Sequence, residues 1–115
     1  MTKVIVVHGC CTEREFFDEK TPSPSNNHWI PWIQKKLLMQ GIAVQTPEMP
    51  NAYNPDYETW KTVFDQFTVD LETVLVAHSC GAGFLLRWLG ETRRPVAKLI
   101  LVAPWLDQIG REGCS

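Results

Sequence analysis

The sequence has no long apolar run and no excess of charge of one sign, and these two absences exclude several classes of protein. The N-terminal apolar run covers only residues 4–7, whereas a membrane-spanning helix needs about 20 residues and a signal peptide at least about 7. Eleven Lys and Arg residues against 13 Asp and Glu residues give a net charge of −2, which offers no basic surface to nucleic acid. We therefore expect a cytoplasmic protein that binds neither membranes nor nucleic acid.

The spacing of the cysteines does not resemble a disulfide framework. There are four cysteines, of which Cys10 and Cys11 are adjacent and Cys114 is close to the end. We expect all four to be thiols in a reducing compartment. The spacing also differs from that of known zinc sites, so we expect neither a metal nor a cofactor. A metal or thiol site remains an alternative, and its ligands would be His8, Cys10, Cys11, His78 and Cys80.

The 115 residues predict one domain of alternating strands and helices. Buried strands are expected at 3–8, 42–46, 72–77 and 96–103, and helices at 28–40, 55–67 and 80–91. Asn26 or Asn27 would cap the first helix and Asn54 the second, while residues 10–26 would form a long loop. The alternation indicates an α/β fold, a doubly wound parallel sheet with helices on both faces, for which we expect strand order 2-1-3-4.

Residues 73–86 have the pattern of a buried strand, an abrupt turn and a helix. The turn reads Ala77-His78-Ser79-Cys80-Gly81, which matches the nucleophile-elbow pattern G-x-S-x-G except at its first position. Such a turn projects a serine hydroxyl above the end of a sheet. We therefore predict Ser79 as a nucleophile, with Ala77 and Gly81 kept small because side chains there would collide with the neighbouring strand. The competing interpretation is that Ser79 only caps the helix.

Backbone N–H groups near Ser79 are candidates for stabilising an oxyanion. The N–H of Cys80 would lie at a helix N-terminus, and a second donor would be the N–H of Cys10 or Cys11 in the loop after strand one. His78 is not expected to be the base, because adjacent side chains on a turn diverge. His8 would position the loop after strand one, and His28 would lie at the surface or at a helix cap.

Several further stretches resemble one family over about residues 3–107. They are a first strand ending in a glycine loop, His28-Trp29-Ile30-Pro31-Trp32, Met49-Pro50-Asn51, Trp60, His78-Ser79-Cys80-Gly81-Ala82 and Leu101-Val102-Ala103-Pro104-Trp105. Together they resemble the small single-domain α/β-hydrolases that include retinoblastoma-binding protein nine and its bacterial relatives. The resemblance implies a serine hydrolase that uses a Ser-Asp-His triad on ester or amide substrates.

The chain departs from that family after Ser79. The triad Asp and His would follow the serine, yet Asp107 is the only later aspartate and no histidine follows. The family's motif for binding pocket proteins, Leu-x-Cys-x-Glu, is absent as well. We therefore do not expect this chain to bind such a partner. We expect a C-terminally truncated member with little esterase activity and an exposed edge strand at 96–103, prone to self-association.

Two other functions are also consistent with the sequence. The first is a catalytically inactive binding module, or a decayed gene product, with the same fold. The second is a nucleotide-binding protein, although Gly81-x-Gly83 is too short for G-x-G-x-x-G.

Overall fold

The structure, a computed structural model, describes residues 1–103. Its sheet contains β1 (Lys3–Val7), β2 (Ala43–Gln45), β3 (Thr73–His78) and β4 (Lys98–Val102). All pairings are parallel and the strand order is β2-β1-β3-β4. The predicted parallel sheet and its order 2-1-3-4 are confirmed. Since β1 and β3 are neighbours, the loops that follow them meet at one edge of the sheet.

Four helices connect the strands: α1 (Glu13–Phe16), α2 (Ile30–Met39), α3 (Tyr57–Phe64) and α4 (Cys80–Thr92). The prediction of a loop over residues 10–26 is wrong in part, because this segment contains α1 and a 3₁₀ turn at Pro24–Asn26. A capping box begins α1: Thr12 Oγ1 accepts from the N–H of Glu15 at 3.1 Å, and Glu15 Oε1 accepts from the N–H of Thr12 at 2.9 Å.

Both predicted asparagine caps are wrong. Helix α2 begins after Trp29, which makes no side-chain cap, and Asn27 Oδ1 instead accepts from the N–H of His28 at 2.8 Å. Helix α3 is capped by Asp56, whose carboxylate accepts from the N–H of Thr59 at 2.9 Å. Asp56 takes the position that Asn54 was expected to fill because the helix begins two residues later than predicted.

Apolar side chains cover both faces of the sheet. On one face Ile5, Val7 and Leu75 pack with α3 and α4, where Trp60 and Phe84 are fully buried. On the other face the smaller cluster contains Val4, Val6 and Ile30, with partly buried residues of α2 and β2 around them. Helices therefore lie on both faces, as predicted. The division also explains why β1 is apolar throughout, since its side chains alternate between two buried layers.

Strand β4 forms one edge of the described sheet. It pairs with β3 alone within residues 1–103, and Ile100 is 42% exposed. The expected self-association through this strand stays a prediction. No helix in the described part of the chain is long and apolar enough to cross a membrane. Asp107 and the rest of residues 104–115 lie outside the described residues.

Candidate active site

The turn between β3 and α4 consists of Ser79 alone. Its backbone has φ 56° and ψ −126°, a conformation that non-glycine residues rarely adopt. Its N–H donates to the carbonyl of Val102 at 3.0 Å, and its carbonyl accepts from the N–H of Ala82 at 3.0 Å. The hydroxyl makes no capping hydrogen bond. The observed geometry therefore gives no support to the interpretation that Ser79 is only a helix cap.

Three small residues let the backbone segments around Ser79 approach one another. A Cβ atom at Gly81 would lie 2.4 Å from His8 O, so glycine allows α4 to begin against the end of β1. A Cβ atom at Gly9 would lie 2.7 Å from Ser79 Cβ, which shows how tightly the loop after β1 crosses the serine. Ala77 is fully buried in the core beneath the turn. Of these contacts, that of Gly9 was missed in the sequence, because it joins two loops distant along the chain.

A disulfide joins Cys10 in the loop after β1 to Cys80, the first residue of α4. The two Cα atoms are 6.1 Å apart although 70 residues separate the cysteines in the sequence. The expectation that all four cysteines are thiols is therefore wrong for this pair, because pairing of β1 with β3 brings their following loops together. Cys11 is free, and Cys114 lies outside the described residues.

Cys11 does not fit the predicted oxyanion site. Its N–H donates to the carbonyl of Ala52 at 3.3 Å, so it is directed at the segment after β2. Burial raises the pKa of its thiol to about 11, with further contributions from the carboxylates of Glu15 and Glu48. The candidate donors near Ser79 are thereby reduced to the N–H groups of Cys80 and Cys10.

Buried His8 connects the loop after β1 to the segment after β2. Its Nε2 accepts from the N–H of Met49 at 2.8 Å, and its Nδ1 lies 2.6 Å from the carbonyl of Gly9. Glu48 Oε2 lies 3.3 Å from the same Nε2, and Glu48 Oε1 accepts from Ser25 Oγ at 2.6 Å. Burial alone would raise the pKa of Glu48, but its contacts with His8 and Ser25 hold that pKa at about 2. Glu48 was not singled out in the sequence because its partners are distant.

The three histidines all lie near this edge of the sheet. The rings of His28 and His78 are 5.8 Å apart, and Trp29 meets His78 edge-on at 5.6 Å. Burial lowers the pKa of His78, and the neighbouring His28 and His8 lower it further. His28 is exposed, as expected, but it also lines the pocket described next. No feature of the sequence predicts that His28 lines the pocket.

A pocket of about 410 Å³ opens at the carboxyl ends of β1 and β3. The loop after β1, the segment after β2 and His78, the last residue of β3, contribute walls, whereas Ser79 is not among the lining residues. The residues that line it are Gly9, Cys10, Cys11, Glu15, Phe16, Thr21, Pro22, Ser23, Pro24, Asn27, His28, Glu48, Met49, Pro50, Asn51 and His78. This is the crevice that the strand order predicts, at the point where the order reverses.

The alternative of a metal or thiol site is not supported by this geometry. Two of its five proposed ligands, Cys10 and Cys80, are bonded to each other. Among residues 1–103, no three His, Cys, Asp or Glu side chains are placed to hold a metal ion together.

Comparison with known proteins identifies the family. A family model described as "Serine hydrolase" matches residues 21–111. The protein named "Putative hydrolase YdeN" from Bacillus subtilis (strain 168) is 39% identical over 83 residues, which cover 69% of this chain and 44% of that protein. The crystal structure of the B. subtilis ydeN gene product matches with a TM-score of 0.72 at 32% identity, covering 88% of this chain and 50% of that one. The chain thus spans about half the length of the relatives it matches. It belongs to the serine hydrolase family.

Proposed function

We propose that this serine hydrolase family member acts on carboxylic ester or amide bonds through an acyl-enzyme formed on Ser79. The observation that carries the proposal is the backbone of Ser79, held at φ 56° between β3 and α4 with its hydroxyl unused as a cap. Strain of this kind is typical of residues that must present a reactive group. The 410 Å³ pocket beside it has room for a small-molecule substrate.

The proposed oxyanion site consists of two backbone N–H groups. Cys80 begins a helix of 13 residues, and the N–H groups of a helix's first turn lack partners within the helix. The N–H of Cys80 would stabilise the negative charge that develops when the Ser79 hydroxyl attacks a carbonyl. Cys10, bonded to Cys80, would supply the second donor from the loop after β1. Gly81 and Ala77 would allow this arrangement by their small size.

A base and its orienting acid are not identified among the described residues. In this fold the triad Asp and His follow the serine, and no histidine follows Ser79 in the 115 residues. Without a base the hydroxyl is a weak nucleophile. We therefore expect this chain to react slowly with activated esters and to release the acyl group more slowly still.

The direct test is acylation of the chain by p-nitrophenyl acetate, followed by intact mass and peptide mapping. We expect one acetyl group on Ser79 in the wild type and none there in Ser79→Ala. Ser23→Ala is the control: Ser23 lines the pocket, and its removal should leave the Ser79 adduct in place. Absence of a Ser79 adduct under conditions in which other side chains are acetylated would contradict the proposal.

A second candidate is a binding module with the same fold and no chemistry. The observation that favours it is that no base for Ser79 is identified among residues 1–103. It predicts that a non-reactive ester analogue binds the pocket while a fluorophosphonate leaves Ser79 unlabelled. Labelling at Ser79 requires an activated hydroxyl, so that experiment separates the two candidates.

A further inference from the structure

We propose that the Cys10–Cys80 disulfide positions the anion-binding N–H groups beside Ser79, so that acyl transfer depends on the oxidation state of this pair. The inference rests on the proposed function, because it concerns the same serine. Cys80 follows Ser79 directly, and Cys10 follows Gly9, where an added Cβ atom would lie 2.7 Å from Ser79 Cβ. The disulfide thus joins the two segments that would hold the oxyanion.

Hydrogen bonds connect the loop after β1 to the segment after β2. The N–H of Cys11 donates to Ala52 O, and His8 accepts from the N–H of Met49. Both of these partners belong to the segment after β2. The disulfide is the covalent connection from the loop to α4, so its loss would remove the bond that holds Cys10 to the first residue of α4. Oxyanion donors must lie within a few tenths of an ångström of their position to be effective.

A small dithiol can reach this bond from one side. Cys80 is fully buried, whereas Cys10 is partly exposed and lines the pocket. A dithiol thiolate would attack Cys10 Sγ, forming a mixed disulfide there and breaking the bond to Cys80 Sγ. The electron pair leaves with Cys80 as a thiolate at the N-terminus of α4, where the helix dipole and the first N–H groups stabilise it.

The second thiolate of the dithiol completes the exchange. It attacks the reagent's other sulfur, which is bonded to Cys10 Sγ in the mixed disulfide, and expels Cys10 as a thiolate. The dithiol becomes a cyclic disulfide and the protein disulfide becomes two thiols once each sulfur has taken a proton, so two electrons are transferred in all.

Cys11 lies beside the disulfide without competing for it. With its pKa raised to about 11 by burial and by Glu15 and Glu48, it is almost entirely protonated at neutral pH. A thiol in that form does not attack a neighbouring disulfide. The pair therefore responds to external dithiols and is not rearranged by its neighbour. Cys11 also provides a matched control, since it belongs to the same loop and is free.

The test compares the rate of Ser79 acylation by p-nitrophenyl acetate in oxidised and reduced protein. The full chain is reduced with dithiothreitol, which is then removed under argon, and acetylated Ser79 is quantified by peptide mapping. We expect reduction to slow the maximal acylation rate by about tenfold or more, since loss of one oxyanion donor costs about 10²–10³-fold. The ester concentration that gives half the maximal rate should change less than about twofold, because ground-state binding is not altered.

Variants and a second measurement separate positioning from simple destabilisation. In Cys11→Ser, reduction should slow acylation by the same factor as in the wild type, because the Cys10–Cys80 pair is intact. Cys10→Ser/Cys80→Ser should acylate slowly and ignore dithiothreitol. If that double variant does not fold, the wild-type protein provides the test. Reoxidation should restore its acylation rate. Reduction should increase amide hydrogen exchange at residues 9–12 while leaving β3 protected.

The outcomes distinguish this inference from the proposed function. Acylation of Ser79 at equal rates in the oxidised and reduced forms overturns the inference and leaves the proposed function standing. Alkylation of both Cys10 and Cys80 in protein purified without reductant also overturns it, because the pair would then not be bonded. No acylation of Ser79 in any form overturns the proposed function, and the inference with it.

Discussion

Two segments meet at the carboxyl ends of β1 and β3, and they are held in different ways. The turn after β3 is one residue long and is fixed by backbone contacts, which run from Ser79 to Val102 and Ala82 and from Gly81 to His8. The loop after β1 extends to Trp29 and is fixed mainly by side chains, which are a disulfide, a buried histidine, a partly exposed carboxylate and a capping box, together with the backbone hydrogen bond from Cys11 to Ala52.

The two segments therefore differ in how their geometry responds to pH and to thiols. Backbone contacts do not titrate and cannot be reduced, so the turn that presents Ser79 keeps its geometry across conditions. The side chains that hold the other segment include groups that respond to pH and to thiols. We therefore expect substitutions in the turn to affect global stability most, and those in the loop to have smaller effects that depend on conditions.

Gly81→Ala should show the largest loss of stability. The new Cβ would lie 2.4 Å from His8 O and 2.9 Å from Val7 O, and both are backbone atoms at the carboxyl end of β1 that cannot move aside. We expect the free energy of unfolding to fall by about 3 kcal/mol or more, at or above the usual range for overpacking, as measured by urea denaturation.

Gly90→Ala is the matched control within the same helix. Nothing lies within 4 Å of a Cβ atom at Gly90, so alanine should stabilise α4 by about 0.5–1 kcal/mol through its helix propensity. Equal effects of the two substitutions would show that α4 does not begin against β1 as described.

Ser79→Gly and Ser79→Ala measure the strain in the turn. At φ 56° and ψ −126° glycine is unstrained, whereas alanine keeps the cost of a Cβ atom in that region. We expect Ser79→Gly to be more stable than Ser79→Ala by about 1–2 kcal/mol in urea denaturation. The opposite order would mean that the turn is relaxed, and would weaken the case for a nucleophile.

These two regions also differ in how far the sequence predicts them. The turn could be predicted because its determinants are local: a β-branched strand, small residues around Ser79, and an apolar helix. Strand order followed from the alternation of elements and the handedness of crossovers. The disulfide and the Glu48 contacts could not be predicted, because each depends on residues brought together by the sheet. Even the local capping box at Thr12 was missed, since its four-residue helix has no buried residue to produce a periodic pattern.

Glu48→Gln tests the loop's dependence on pH. The folded-state pKa of about 2 lies below the ordinary 4.5, so the charged form contributes stability that is present above pH 4.5 and lost as the pH falls from 4.5 to about 2. Because the side chain is 42% exposed, solvent screening reduces this contribution to about 1 kcal/mol.

The measurement is urea denaturation of both proteins from neutral to acidic pH. The wild type should be more stable than Glu48→Gln near neutral pH, and the difference should shrink below pH 4.5. Ser25→Ala, which removes the 2.6 Å hydrogen bond to Glu48, should lose part of the same pH dependence. A difference that stays constant with pH would show that the carboxylate charge is not what holds this part of the loop.

Thr12→Ala should have the smallest effect, and a local one. It removes the hydroxyl that accepts from the N–H of Glu15 at the start of α1, a helix without buried residues. Loss of such a cap costs about 0.5–1 kcal/mol, but α1 can open without unfolding the sheet. We therefore expect faster amide hydrogen exchange at residues 13–16 with little change in the urea midpoint.

Thr62→Ala is a suitable control, because its hydroxyl donates to Glu58 O within α3 and it should leave residues 13–16 unaffected. A large shift of the urea midpoint in Thr12→Ala would contradict the division between the two segments, since it would make the side-chain-held loop part of the globally cooperative structure.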